Sequence, residues 1–145
     1  KVLRLENVNC MYTSETTVRV RYGETDQMGY AYYGCYAMYY EVARVESLRQ
    51  LGLTYKSLEE QGIIMPVLEN KSKYISPAYY DQLLRIVCVI RERPGIRIRF
   101  EYEIFNEENK LIHIGETLLV FVDRQTSKPC RPPEAMEKVL EPFFK

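Results

Sequence analysis

At 145 residues the chain has the length of one domain and can bury a core without disulfide or metal staples. Its 20 basic residues balance its 20 acidic ones, which argues against a general nucleic-acid binder or a partner of anionic membrane. Local basic patches for a phosphorylated ligand stay open. No apolar run approaches the roughly 18–20 residues of a membrane span, and residues 1–11 lack the apolar core of a secretory signal. Cys10, Cys35, Cys88 and Cys130 are widely spaced, with no C-x-x-C pair and no nearby histidine. Zinc is therefore not expected, reduced thiols are the simpler reading, and a cytoplasmic location is expected.

Residues 1–15 are read as an N-terminal extension and 16–145 as a single domain. Residues 16–22 alternate, with Val18, Val20 and Tyr22 on one side and Thr17, Arg19 and Arg21 on the other, which predicts a half-buried strand. Gly23 and Gly29 bracket the polar turn GETDQMG. From about Gly34 the pattern turns helical. Met38, Val42 and Val45 share one side, and Gly52 is a natural stop. Other apolar and small residues spread beyond that stripe, so the helix is expected to be widely covered.

Residues 53–61 predict a short second helix, and 63–76 a strand ended by Ser76–Pro77. Residues 83–91 predict an apolar strand. Past Pro94–Gly95, Ile96, Ile98, Phe100, Tyr102 and Ile104 alternate with Arg97, Arg99, Glu101 and Glu103. Residues 111–122 form another strand, and PCRPPEAMEKVL leads into a C-terminal helix with Pro133 early in it. Tight turns make successive strands antiparallel. The expected fold class is α+β, a five-stranded antiparallel sheet wrapped around a long central helix. Such a sheet has two edges, so a homodimer or homotetramer is expected.

Six tyrosines fall between Tyr30 and Tyr40, while the chain has one histidine and no tryptophan. His113 stands in LIHIGE, between two isoleucines, and reads as a strand residue with local contacts. No nucleophile-elbow motif accompanies it. Three acids stand out: Glu24, Asp26 and Glu41. Turn formation or solvated surface is the plain alternative for Glu24 and Asp26. For Glu41 it is helix surface or a bond across an interface. Asp26 gains interest from its loop, which feeds a helix start near Tyr33–Gly34 where unpaired N–H groups favour negative charge. A carboxylate and a helix start facing one carbonyl supply the parts for acyl transfer, and a thioester is a plausible target. Cys35 as a nucleophile lacks a partner base. Tyr30, Tyr32 and Tyr36 are candidates for lining an acyl pocket, although most of the neighbouring tyrosines must pack the core.

The run YGETDQMGYAYYGCY, residues 22–36, resembles the signature of the hot-dog acyl-CoA thioesterases related to 4-hydroxybenzoyl-CoA thioesterase. The resemblance covers residues 16–135, including SKYISPAYYDQLL at 72–84 and GETLLVFVD at 115–123. It implies the hot-dog fold and hydrolysis of acyl-CoA to free acid and CoA, with no cofactor. Carried over, the catalytic aspartate falls on Asp26, and the residue whose backbone N–H polarises the thioester carbonyl falls on Tyr33. Glu41 falls on a recurrent acidic neighbour of the active site, in a supporting role with Gly34 and Cys35. Cys35 is a departure, since the family commonly has asparagine there. The phosphates of coenzyme A call for cations, for which Arg91, Arg93, Arg97, Arg99, Lys128 and Arg131 are the candidates, with Lys71 and Lys73 behind them. The alternative function is binding of acyl-CoA or acyl-carrier thioesters without hydrolysis, or a scaffold of the same fold. A single-stranded nucleic-acid binder is disfavoured by the zero net charge and the lack of a compact aromatic–basic motif.

Overall fold

The computed structural model describes residues 11–144. A strand opens the described chain: β1, Tyr12–Arg19. It starts earlier than the expected residue 16 and stops before Tyr22, because residues 22–24 turn into a 3-10 helix. A second 3-10 turn, Tyr33–Cys35, runs directly into α1, Tyr36–Arg49. Next come α2 (Tyr55–Glu60), the two-residue strand β2 (Ile63–Ile64) and β3 (Val67–Tyr74). Three long strands follow: β4 (Leu83–Ile90), β5 (Arg97–Phe105) and β6 (Leu111–Val120). The chain closes with β7 (Val122–Asp123) and α3 (Glu134–Leu140). As expected, Gly52 stops α1, in the left-handed region at φ 86°.

The five long strands form one antiparallel sheet in the order β1-β4-β5-β6-β3, with α1 packed against it. This is the expected α+β arrangement. Succession in sequence makes neighbours of β4, β5 and β6, as expected, but not of β3 and β4. Instead β3 lies at the far edge, paired with β6 from Val67↔Leu119 to Tyr74↔His113. Its continuation is drawn off the edge, since Ile75 and Ser76 both donate to the Ile112 carbonyl. The connection then passes under the loop before α1. There Ala78 accepts from Ala31 (2.7 Å) and Asp81 donates to Val20 (2.8 Å).

The inner sheet face alternates as the sequence indicates: Leu84, Ile86, Cys88 and Ile90 on β4, and Ile98, Phe100, Tyr102 and Ile104 on β5, all buried. Ile96, expected on that face, precedes β5 and is half-exposed. The buried face of α1 is not the expected Met38–Val42–Val45 stripe. It comprises Tyr36, Tyr39, Tyr40, Ala43, Arg44, Ser47 and Leu48, whereas Met38 and Val42 face outward.

Tyrosine wins that face because it brings large apolar area and the sheet supplies partners for its hydroxyls. The Tyr40 ring stacks on Tyr102 with centroids 4.3 Å apart. Its hydroxyl is held by Ser72 Oγ (2.6 Å) and by His113 Nε2. Buried Arg44 donates to Tyr102 Oη (3.1 Å) and, through longer bonds, to Tyr55 and Thr117. A buried cation without such partners would be costly, so this polar layer fixes how the helix seats. Gly115 belongs to the same fit, because a Cβ there would run into the Tyr40 hydroxyl.

Candidate active site

The acidic loop folds as a miniature hairpin. Thr25 bridges Ala31, Asp26 N–H donates to Tyr30 O (3.0 Å), and Gly29 N–H closes the turn onto Asp26 O (3.0 Å). Gly29 takes φ 86°, which a side chain would resist. A second bridge, Tyr30↔Tyr79, pins the hairpin to the β3–β4 connection.

Glu24 anchors the loop from beneath. Its side chain is buried and accepts from Arg21 N–H (2.9 Å), Arg21 Nε–H (3.1 Å) and the Tyr39 hydroxyl (2.9 Å). Its carbonyl accepts from Tyr32 N–H (2.8 Å) and from the Cys35 thiol (3.5 Å). Burial works against its charge, but the donors from Arg21 and Tyr39 outweigh it and hold the carboxyl below its ordinary value. In the same contact Tyr39 is pushed up, by burial first and then by its bond to Glu24.

Asp26 is half-buried and differently placed. Oδ1 accepts only the local Met28 N–H (2.9 Å), and Oδ2 has no hydrogen-bond partner among the described residues. Asp26 lines a cleft of about 340 Å³. Tyr33 lines the same cleft, and as the first residue of its 3-10 turn it has an N–H without an acceptor inside that turn. Tyr30 and Tyr36 also line it, together with Tyr74, Ile75 and Pro77 from the end of β3 and beyond. The last three were not expected as lining residues. Only the Ser76–Pro77 break and the SKYISPAYY run marked that segment in the sequence.

Other candidates lie elsewhere. The Tyr32 ring rests against that of Tyr33 (4.7 Å) outside the cleft lining. Gly34 accommodates that ring, since a Cβ would sit 2.7 Å from Tyr32 Cε2. Cys35 is buried, and burial first, then the Glu24 charge, raises its thiol pKa. Glu41 is exposed on α1, away from the cleft lining.

The predicted cations do not reach the cleft within this chain. Arg91 pairs with Glu101 (2.6 Å), Arg99 with Glu116 (2.8 Å) and Arg131 with Glu137 (3.6 Å). Arg93, Arg97 and Lys128 are exposed. Ile104 stands opposite His113, and hence at the Tyr74 end of the sheet, whereas Arg97 starts the same strand opposite Val120. At roughly 3.3 Å per residue, that separation is about 23 Å. Lys73, adjacent to Tyr74, is nearer in the chain.

His113 lies behind the cleft rather than in it. It is fully buried, with its ring stacked on Tyr36 (centroids 4.0 Å) and edged by Tyr74 (4.8 Å). Burial pushes its pKa down to about 4, and Nδ1 has no hydrogen-bond partner among the described residues. The expected strand residue with local contacts is thus the neutral backing of the cleft wall. Among the described residues, no group of three His, Cys, Asp or Glu side chains is placed to hold a metal, and no helix is long and apolar enough to cross a membrane.

The chain is similar to several known proteins. Acyl-CoA thioesterase YbgC of Haemophilus influenzae is 34% identical over 122 residues, covering 83% of this chain and 88% of that protein. The crystal structure of a DHNA-CoA thioesterase from Staphylococcus aureus superposes with a TM-score of 0.84 at 34% identity, covering 90% of this chain and 88% of that one. A 4-hydroxybenzoyl-CoA thioesterase complexed with 4-hydroxybenzoyl-CoA, 17% identical, shares the fold, with a TM-score of 0.78 over 92% of this chain and 99% of the other. The hot-dog fold inferred from the signature is therefore the fold of this protein. Residues 20–140 match the family described as Thioesterase-like superfamily, and the chain belongs to it.

Proposed function

We propose that the protein hydrolyses acyl-CoA thioesters to the free acid and CoA, with Asp26 as the catalytic carboxylate and the Tyr33 N–H as the donor to the carbonyl oxygen. The observation that carries this reading is that Asp26 and the start of the Tyr33 turn line one cleft, with Asp26 Oδ2 unengaged. The thioester carbonyl sits between them. As a general base, Asp26 takes a proton from water as the water oxygen bonds to the carbonyl carbon. The oxyanion is held by the turn, and its collapse breaks the C–S bond to release CoA thiolate, which is then protonated. As a nucleophile, Asp26 would displace CoA to form an anhydride that water opens. Single turnover in ¹⁸O-water separates the routes, since only the anhydride route can place the label in Asp26.

The active form is proposed to be a homodimer or homotetramer. The outward Met38 and Val42 on α1 and the wholly exposed edge strand β3 support this. Light scattering at micromolar concentration tests it.

The deciding experiment is thiol release from short, long and aromatic acyl-CoAs by the wild type and Asp26→Asn. Turnover by the wild type and its loss in the variant are expected. Undiminished turnover in the variant would remove Asp26 from the mechanism. Binding of acyl-CoA without any turnover would leave the non-hydrolytic function in its place.

A further inference from the structure

The geometry points to Tyr74 as a positioning residue for the oxyanion turn, acting through a hydrogen bond from its hydroxyl to the carbonyl of Tyr33. This rests on the thioesterase reading above, but the residue lies outside the acid loop and the helix that define it. Tyr74 ends β3, opposite His113 on β6, and its hydroxyl reaches across to Tyr33 O at 3.2 Å. The two residues line the cleft from different sides, Tyr33 from the start of the helix and Tyr74 from the sheet edge. The bond therefore spans the cleft wall and joins elements far apart in sequence.

The consequence follows from backbone geometry. The carbonyl and the N–H of Tyr33 flank one Cα, and each belongs to a rigid planar unit, so a bond that holds the carbonyl oxygen restrains the Tyr33 backbone and with it the direction of the Tyr33 N–H. The turn is short and its other tethers, the Tyr32 N–H and the Cys35 thiol, both bond to Glu24 O, so the Tyr74 bond supplies a fixed point from a different element.

The ring of Tyr74 is itself aimed by its neighbours. It stands edge-on to His113, with centroids 4.8 Å apart and planes at 76°, and edge-on to Tyr36 at 5.3 Å and 87°. His113 and Tyr36 are buried and stacked on each other, giving Tyr74 a rigid backing although it is half-exposed itself. A tyrosine serving only to fill space at a sheet edge would not need its hydroxyl delivered to a backbone carbonyl of the catalytic turn.

Tyr74→Phe keeps the ring contacts and removes only the hydroxyl. With an acyl-CoA that the wild type hydrolyses, the expected result is a fall in kcat of about 5- to 10-fold with KM within twofold, the size of one neutral hydrogen bond. Amide hydrogen exchange at Tyr32 and Cys35, whose N–H groups are bonded to Glu24 O and Tyr32 O, is expected to quicken by a similar factor while α1 beyond its first turn is unchanged. A kcat within twofold of wild type, a loss confined to KM, or unaltered exchange at the turn would each overturn the assignment. These outcomes are distinct from failure of the thioesterase reading, which shows as an inactive wild type. In that case the assignment of Tyr74 to an oxyanion turn falls as well. A melting temperature equal to wild type separates these effects from loss of folding.

Discussion

Glu24 and Asp26 stand two residues apart in one loop and have opposite surroundings. Glu24 is buried, with both side-chain oxygens engaged by Arg21 or Tyr39. Asp26 faces a cleft, with one oxygen in a local turn and the other open. A carboxylate saturated with donors is stabilised as an anion and has little left to give a substrate. One with an open oxygen beside unpaired backbone N–H groups can take a proton or attack carbon. The contrast gives Glu24 a structural place and supports the proposed chemistry at Asp26, the acid that the signature singles out.

Exchanging each acid for its amide gives the sharpest way to break the comparison. Asp26→Asn is expected to lower kcat by about 10²-fold or more, with the melting temperature nearly unchanged. Glu24→Gln is expected to do the reverse in kind, costing about 1.5–3 kcal/mol in urea unfolding, since charge-assisted bonds to Arg21 and Tyr39 are weakened. If Glu24→Gln abolished turnover at full stability, the two roles would have to be exchanged.

Acid titration sharpens it further. The folded-state pKa of Glu24 lies below its ordinary value of 4.5. Its contribution is therefore complete above that value and is lost as pH falls through the lowered one. His113 acts at higher pH. Its pKa falls from 6.5 to about 4 in the folded state, so the stability it confers as a neutral ring is whole above 6.5 and declines toward pH 4. In His113→Phe, which keeps the stack on Tyr36, the urea midpoint should be flatter between pH 6.5 and 4, with the more acidic loss intact. An unchanged slope in that window would assign it to other groups. The smallest expected effect is that of Tyr39→Phe, about 1 kcal/mol, because Glu24 keeps its donors from Arg21.

The sequence carried its clearest message where structure is local. The alternation marked the inner face of β5 from Ile98 to Ile104, and Gly29 and Gly52 marked turns that need positive φ. Where partners come from afar, it was silent. The Glu24–Tyr39 bond and the bond from Tyr74 to Tyr33 join separate elements, so no local pattern exposes them. The face of α1 was misjudged for a related reason. Met38 and Val42 are the more apolar side chains, but the sheet provides stacking and hydroxyl partners for Tyr36, Tyr40 and Arg44. Asp26 and Tyr33, which the signature singles out, line one cleft, while the other wall comes from the β3–β4 connection, whose path depends on β3 lying beside β6.

That strand order also bears on how the chain is made. β3 leaves the ribosome before β4, β5 and β6, but its place in the sheet is beside β6, the last long strand to emerge. β1 likewise has its strand partner in β4, beyond both α1 and α2. A nascent chain that has not yet reached Leu111 therefore holds Tyr33 and Asp26 but lacks the strand that seats Tyr74 opposite them. The cleft is assembled only after β6 has emerged, so a product truncated before Leu111 would carry the signature without the cleft.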